Sequence, residues 1–181
     1  MCNLINLGAA AECANSDGGI FETQIVDGNN IDSVVFDANG VVTSIVMGTP
    51  GQWVNYEYDD DDSASYNQNS ERANRKITIT QTAFFKFAGI TATKVEFANG
   101  IKDCCKLVAI HRLNSGEGLI QGVEPYNGGW RFTKQKAKAT PNVLSDTGAG
   151  EDRIEININS VGSEFSAPMD ALLDTAAILA L

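Results

Sequence analysis

Histidine is nearly absent from this chain, because His111 is the only one among 181 residues. Acyl-transfer catalysis needs a nucleophile and a base that a third group orients, and histidine is the commonest base. Cys104 or Cys105 could serve as the nucleophile only if the strand-like run LVAIHRL brought a thiol and the imidazole to one pocket. We therefore expect His111 to face solvent or an interface, and we expect no enzyme.

Cysteine is also scarce, and its four positions do not form a metal-binding pattern. Cys104 and Cys105 are adjacent, whereas chelating cysteines are separated by two to four residues. Cys2 and Cys13 lie in a small, polar N-terminal stretch. We expect reduced cysteines, synthesis in a cytoplasm and no zinc site. No nucleotide-binding glycine motif occurs either, so no cofactor is expected.

Long apolar runs and basic residues are both in short supply. No stretch approaches the roughly 18 apolar residues of a membrane helix, and the N-terminus lacks the basic and apolar regions of a signal peptide. We therefore expect no membrane contact.

Lysine and arginine number 13 against 23 acidic residues, which gives a net charge of -10. This balance argues against a duplex nucleic-acid binder, which needs cations to displace counterions. It does not argue against a surface that repels DNA.

The chain does contain a succession of β-rich runs separated by turns. The predicted strand segments are IFETQIV (20–26), the hairpin SVVFDANGVVTSIV, QWVNYEY (52–58), KITITQTAFFKF (76–87), CKLVAIHRL (105–113), GLIQGVEP (118–125), WRFTKQKAKAT (130–140) and DRIEININSV (152–161). Asn39-Gly40 is the strongest hairpin signal. Together these runs predict one mainly β domain over residues 1–181, a β-sandwich or barrel-like fold of about nine strands.

One internal helix is predicted to flank the strands. Thr93 and Glu96 have the spacing of a capping box at its start. Phe97, Ile101, Cys104 and Cys105 then fall at helical spacing on one face, which we expect to be buried.

An unusual polar stretch, DDDDSASYNQNSERANR (59–75), separates QWVNYEY from RKITITQTA. We expect the two flanking strands to pair and residues 59–75 to form a long loop, which in compact domains is usually functional or disordered. As a calcium loop the stretch fits poorly, because Ala64 and Ser65 replace an acid and a glycine, although Glu71 matches the twelfth position after Asp60. A loose divalent-ion site stays open, but no metal is predicted.

The charges of this stretch suit contact with another copy of the chain, because acids open it and bases close it. Three lysines alternate along the later segment WRFTKQKAKAT and so lie on one face. They either protect a sheet edge or meet acids on a neighbouring subunit. The candidate inter-subunit residues are Asp59, Asp60, Asp61, Asp62, Glu71, Arg72, Arg75, Lys134, Lys136 and Lys138.

The order of these features resembles the tail tube (major tail) proteins of long-tailed bacteriophages, in particular those of Bacteroidetes phages. The likeness covers about 13–169. It depends on ECANSDGGI, on GQWVNYEY followed by the acidic-to-basic stretch and RKITITQTAFF, on the helix leading into KLVAIHRLNSGEGLIQGVE, and on DTGAGEDRIEININSVGSEFSAPM.

The resemblance implies a structural virion protein, made in the host cytoplasm, whose copies form hexameric rings. Inner strands of six copies would join into a continuous barrel, and the rings would stack into a tube. Residues 59–75 would be the arm that reaches the adjacent ring, with 1–19 and 167–181 as further contacts. The implied partners are the chain itself and other phage tail proteins. DNA would only pass through, since a negative lumen repels its backbone.

A virion decoration or adhesion module with a β-sandwich fold is the competing hypothesis. It would bind a host or capsid surface through aromatic side chains at one end of the domain. Its candidates are Trp53, Tyr56 and Tyr58, which otherwise would pack in the core or in a subunit interface.

Overall fold

The computed structural model describes residues 20–48, 53–58, 63–73, 76–102, 104, 106–113, 116–142, 152–163 and 168–169. These residues form twelve strands and one α-helix: β1 Ile20–Asp27, β2 Ile31–Phe36, β3 Val42–Met47, β4 Val54–Glu57, β5 Ser63–Ala73, β6 Lys76–Ala88, α1 Ala92–Lys102, β7 Leu107–Leu113, β8 Gly118–Gln121, β9 Val123–Tyr126, β10 Gly129–Phe132, β11 Lys134–Asn142 and β12 Arg153–Gly162. A short 3-10 turn, Gly28–Asn30, follows β1. The predicted mainly β fold with one helix is confirmed.

The described strands form two four-stranded antiparallel sheets and two hairpins. The first sheet has the order β4-β1-β7-β8, and the second has the order β11-β12-β6-β5. The hairpins are β2–β3, which confirms the Asn39-Gly40 signal, and β9–β10. Pro168 and Met169 bridge β8 and β3, so the β2–β3 hairpin continues the edge of the first sheet. The described strands do not close into a barrel.

One core cluster lies between the two sheets and a second lies between the first sheet and the β2–β3 hairpin, because alternate residues of each strand point to opposite faces. On the second sheet, the buried alternating set is Ile79, Gln81, Ala83, Phe85, Phe87, Ile154, Ile156 and Ile158. Helix α1 contributes Phe97 and Ile101, and the Phe97 ring lies 4.2 Å from the ring of Tyr56, centroid to centroid. Each large apolar side chain buried here contributes about 1.5–3 kcal/mol.

Residues 63–73 form strand β5, so the prediction of a loop over 59–75 is wrong. Strand β5 pairs with β6 along its whole length, from Ser63↔Lys86 to Ala73↔Lys76. Strand β4 pairs with β1, which also overturns the expected pairing of the two flanking strands. The physical reason is that β5 is polar on its solvent-facing side and sits at a sheet edge, where hydrophobic alternation gives little signal.

Two predicted strands are each broken into two. GLIQGVEP divides into β8 and β9 at Gly122, whose φ of +103° does not fit a regular strand. WRFTKQKAKAT divides into β10 and β11 at Thr133, whose backbone N–H donates to the carbonyl of Gly122 at 3.0 Å. A hydrogen bond therefore joins the two breaks, so the break between β8 and β9 lies beside the break between β10 and β11.

Helix α1 begins after Thr91 rather than at the predicted cap. The hydroxyl of Thr91 accepts the backbone N–H of Lys94 at 3.2 Å. Thr93 and Glu96 lie exposed inside the helix, so they cannot form the predicted capping box. The buried positions of Phe97 and Ile101 are confirmed. Cys104 is disulfide-bonded, so the expectation of reduced cysteines is wrong for this residue.

Candidate functional site

The outer face of the second sheet is polar and open to solvent. Strand registers align side chains in rows across β11, β12, β6 and β5. The three central rows are Lys138, Asn157, Phe84 and Ser65; Lys136, Asn159, Thr82 and Asn67; and Lys134, Val161, Thr80 and Asn69. Thr82 donates to the side-chain oxygen of Asn159 at 2.8 Å. Apart from Phe84 and Val161, these rows present ammonium, amide and hydroxyl groups.

The three predicted lysines lie side by side on β11, at one edge of the second sheet. Lys134, Lys136 and Lys138 are all exposed, and neighbours are separated by about 6.7 Å along the strand. Their placement on one face is as predicted. In a protein of net charge -10, they make a locally cationic edge.

Strand β5 forms the opposite edge of the second sheet. No other described strand pairs with its outer side. Its sequence, SASYNQNSERA, contains neither lysine nor proline, which commonly block exposed edges. The predicted contact residues Glu71 and Arg72 lie exposed on this strand, and so on the far side of the sheet from the lysines. Asp59, Asp60, Asp61, Asp62 and Arg75 lie outside the described residues.

The β5–β6 hairpin projects beyond the rest of its sheet. Strand β12 pairs with β6 only as far as Gly162↔Ile79, whereas β5 continues to Ala73↔Lys76. Three further residue pairs extend the ribbon by about 10 Å. Ile77 is 51% exposed on this tip. The core ends before Ile77, so the strand face that is buried at Ile79 is exposed to solvent at Ile77.

The three aromatic candidates do not form a surface cluster. Trp53 is 7% and Tyr56 is 2% exposed, and burial raises the pKa of the Tyr56 phenol. Tyr58 is half-buried, with its ring stacked 6.0 Å from that of Phe85. The proposed aromatic binding end is therefore wrong, because Tyr56 and Tyr58 pack between the two sheets and Trp53 packs between the first sheet and the β2–β3 hairpin. Their packing role is confirmed.

His111 lies fully buried between the two sheets, so the prediction that it faces solvent or an interface is wrong. Its Nδ1 atom is 3.2 Å from the Thr23 hydroxyl, and its Nε2 atom is 3.0 Å from Oε1 of Gln121. Tyr58 donates to the same Thr23 hydroxyl at 2.8 Å. Burial lowers the pKa of His111 from 6.5 to about 4. A histidine within the apolar run LVAIHRL was a signal for this interior position.

Gln121 connects the histidine to the opposite sheet. Its Nε2 group donates to the backbone carbonyls of Ile158 at 3.0 Å and Gln81 at 3.2 Å. The polar groups thus run without interruption from the first sheet to β12 and β6. We call Tyr58, Thr23, His111 and Gln121 the inter-sheet network.

A second buried polar group anchors the β9–β10 hairpin. Glu124 is 2% exposed, and Nε of Arg131 donates to its Oε1 at 2.6 Å. The other carboxylate oxygen accepts the backbone N–H of Ser163 at 2.6 Å. This pairing ties the hairpin to the C-terminal end of β12.

A cleft of about 450 Å³ lies between the end of β2 and the β9–β10 turn. Val35 is 46% and Tyr126 is 47% exposed at its walls, and the Arg131 guanidinium lies 4.1 Å from the Tyr126 ring centroid. At the rim, the backbone N–H of Val41 donates to Asp37 and holds the pKa of that carboxyl below its ordinary value. Sequence reasoning missed this cleft; its only signal was an aromatic residue before the Asn127-Gly128 turn.

Within the described ranges, no group of three or more histidine, cysteine and acidic side chains is arranged to hold a metal ion. No described helix has the length and apolar character needed to cross a membrane. Scans against protein-family models, and searches of curated proteins and of solved structures, find no significant match to this chain.

Proposed function

We propose that this chain is a self-assembling structural subunit, of the phage tail-tube kind, whose copies join edge to edge through the second sheet. The observation that carries the proposal is the edge strand β5, eleven residues long, whose first eight residues are uncharged and whose outer side pairs with no other described strand. Unpaired strand edges are templates for pairing with another chain, and natural monomers usually block them.

The strand directions favour a contact between β5 of one copy and β11 of the next. Successive strands of the second sheet are antiparallel, so β5 and β11 also run in opposite directions. A neighbour added at either edge would continue the antiparallel alternation. Because the two contacting edges differ, the contact is head-to-tail, and it closes into a ring or extends as a filament.

Charge supports the same contact. The aspartates Asp59, Asp60, Asp61 and Asp62 directly precede β5 in sequence, and β11 carries the lysine row. Opposite charges at the two edges would guide encounter and fix the order of subunits. The projecting β5–β6 tip, with Ile77 exposed, would contact a copy in the adjoining ring. Six-fold rings, a DNA-conducting lumen and a place in the virion tail follow from the resemblance.

Electron microscopy of negatively stained protein across a concentration series tests the proposal. We expect rings or tubes with a central hole. Replacing Ser65, Asn67 and Asn69 by lysine would block the β5 edge and should abolish them. A matched control places lysines at Ala92, Thr93 and Asn99, which are exposed on α1. The proposal fails if the wild type stays monomeric at millimolar concentration, or if both variants assemble equally.

A decoration or adhesion function is the second candidate, and the cleft beside Tyr126 is the observation that favours it. Tyrosine is enriched at binding surfaces because its ring is apolar and its hydroxyl is polar. Glycan-array binding that Tyr126→Ala removes, by a protein that never forms rings, would favour this function over assembly.

A further inference from the structure

The inter-sheet network has one consistent direction of hydrogen bonding. The Gln121 amide nitrogen donates to the carbonyls of Ile158 and Gln81, so its oxygen is the atom that meets Nε2 of His111 and can only accept. Nε2 therefore carries the imidazole proton, and Nδ1 accepts the Thr23 hydroxyl. That hydroxyl in turn accepts the Tyr58 phenol. Each hydrogen-bond donor of the inter-sheet network faces an acceptor while the imidazole is neutral, and this match is lost when the imidazole takes up a second proton.

No carboxylate is among the groups that the described contacts place against the imidazole. Tyr66 of β5 lies 4.8 Å and Phe85 of β6 lies 6.0 Å from its ring, centroid to centroid. The titratable neighbours are the phenols of Tyr58 and Tyr66. The nearest charged pair, Glu22 and Arg112, occupies the adjacent positions of β1 and β7, whose side chains point to the other face of the first sheet.

We propose that His111 is an acid-released clasp, which holds the two sheets together while it is neutral and separates them when it is protonated. A second proton at Nδ1 would point at the Thr23 hydroxyl, whose own hydrogen would then lose its acceptor. The cation would also be enclosed between two sheets, with no carboxylate among the described side chains that contact it. Protonation becomes favourable only when water reaches the imidazole, which requires the sheets to move apart.

The direction of the pH effect follows from the lowered pKa of His111. An unfolded chain binds a proton near the ordinary value of 6.5, whereas the folded chain resists until about 4. The contribution of the clasp is complete above pH 6.5 and is lost as the pH falls from 6.5 to 4. This interval corresponds to a change of roughly 300-fold in the unfolding equilibrium constant.

The chain has a single histidine, so proton NMR reports on the clasp without assignment work. We expect the imidazole Cε1 proton to keep a neutral-form shift from pH 8 to pH 5. Titration with a midpoint near 6.5 in the folded protein would overturn the proposal, and this measurement does not depend on any variant folding.

Denaturant unfolding at pH 7.5, 6 and 4.5 tests the release itself. His111→Gln supplies an amide that can accept from Thr23 and donate to Gln121 but cannot take up a proton. Between pH 7.5 and pH 4.5, we expect the unfolding equilibrium constant of the wild type to rise about one hundred times more than that of the variant. Equal pH profiles would overturn the proposal, because another group would then set the acid response. Assembly is not involved, so the outcome is independent of the proposed tail-tube function.

Discussion

Gly122 lies between β8 and β9, where both its backbone conformation and its lack of a side chain are needed. Its φ of +103° is a conformation that L side chains rarely adopt, and an added Cβ would collide with the backbone carbonyl of Leu107. The side chain of Gln135 occupies the same space, because its amide exchanges two hydrogen bonds with the backbone of Leu107. The glycine therefore lets the first and second sheets approach each other where β8 ends.

We expect Gly122→Ala to lower the free energy of unfolding by about 2–4 kcal/mol, because it combines backbone strain with a clash against a carbonyl that cannot move freely. Gly40→Ala is the matched control: φ is +81° there, but nothing lies near the added Cβ. The control should cost about 1 kcal/mol. Urea unfolding measures the loss in the free energy of unfolding for both variants. Equal losses would show that backbone strain alone, rather than the close approach of the two sheets, explains why position 122 is glycine.

At the scale of elements, strand β6 passes from buried core to solvent-exposed surface within two residues. Ile79 is 2% exposed and Ile77 is 51% exposed, although both lie on the same face of the strand. We expect Ile79→Ser to destabilise the monomer by about 3 kcal/mol, since it removes a buried side chain and buries a hydroxyl. Ile77→Ser should change stability by less than about 0.5 kcal/mol but should shorten or abolish stacked assemblies.

The measurement is thermal unfolding of both variants, followed by microscopy of whichever folds. Tubes of normal length from Ile77→Ser would remove the tip from the assembly contact while leaving edge pairing untouched. A large loss of monomer stability in the same variant would mean that the tip folds back onto the domain.

The elements that could be predicted from sequence are those with an apolar face. Strands β6 and β12 alternate isoleucine and phenylalanine with polar residues, and the β2–β3 hairpin has its Asn-Gly turn, so all were placed correctly. Strand β5 could not be found this way, because its inward side chains are Ala64, Tyr66 and Gln68, and its partner supplies the apolar surface. Its position depends on a neighbour, which local sequence does not encode.

The same distinction applies to the candidate site: features that local sequence determines could be predicted, and features that depend on distant residues could not. Lysines at alternate positions of a strand must share a face whatever the fold, so the β11 row was predictable. The position of His111 depends on Thr23, 88 residues earlier in the chain, and on Gln121, and spacing does not indicate such contacts. The same holds for the separation of the Glu71–Arg72 pair from the lysines, which only the order of strands determines.

For the whole molecule, the net charge of -10 would oppose assembly, and the lysine row on β11 is a place where local charge would favour it. Copies with a net charge of -10 repel one another, and the repulsion extends about 10 Å at 0.1 M salt. The lysine row would offset it locally if the next copy brings its aspartates there. Removing those three lysines should therefore hinder assembly most at low salt, where neither the repulsion nor the local attraction is screened.

We expect the triple variant of Lys134, Lys136 and Lys138 to glutamine to assemble more slowly than wild type by at least tenfold at about 0.02 M salt, with the difference gone near 0.5 M. A control variant changes Lys94, Lys102 and Lys106 to glutamine, which alters net charge equally but leaves the lysine row intact on the strand that α1 packs against. Light scattering follows both. If the control slows assembly as much as the β11 variant, the lysine row has no special part in the contact and net repulsion governs the rate. If only the β11 variant is slow, position matters more than total charge, and the lysines serve as a docking edge rather than as protection against pairing.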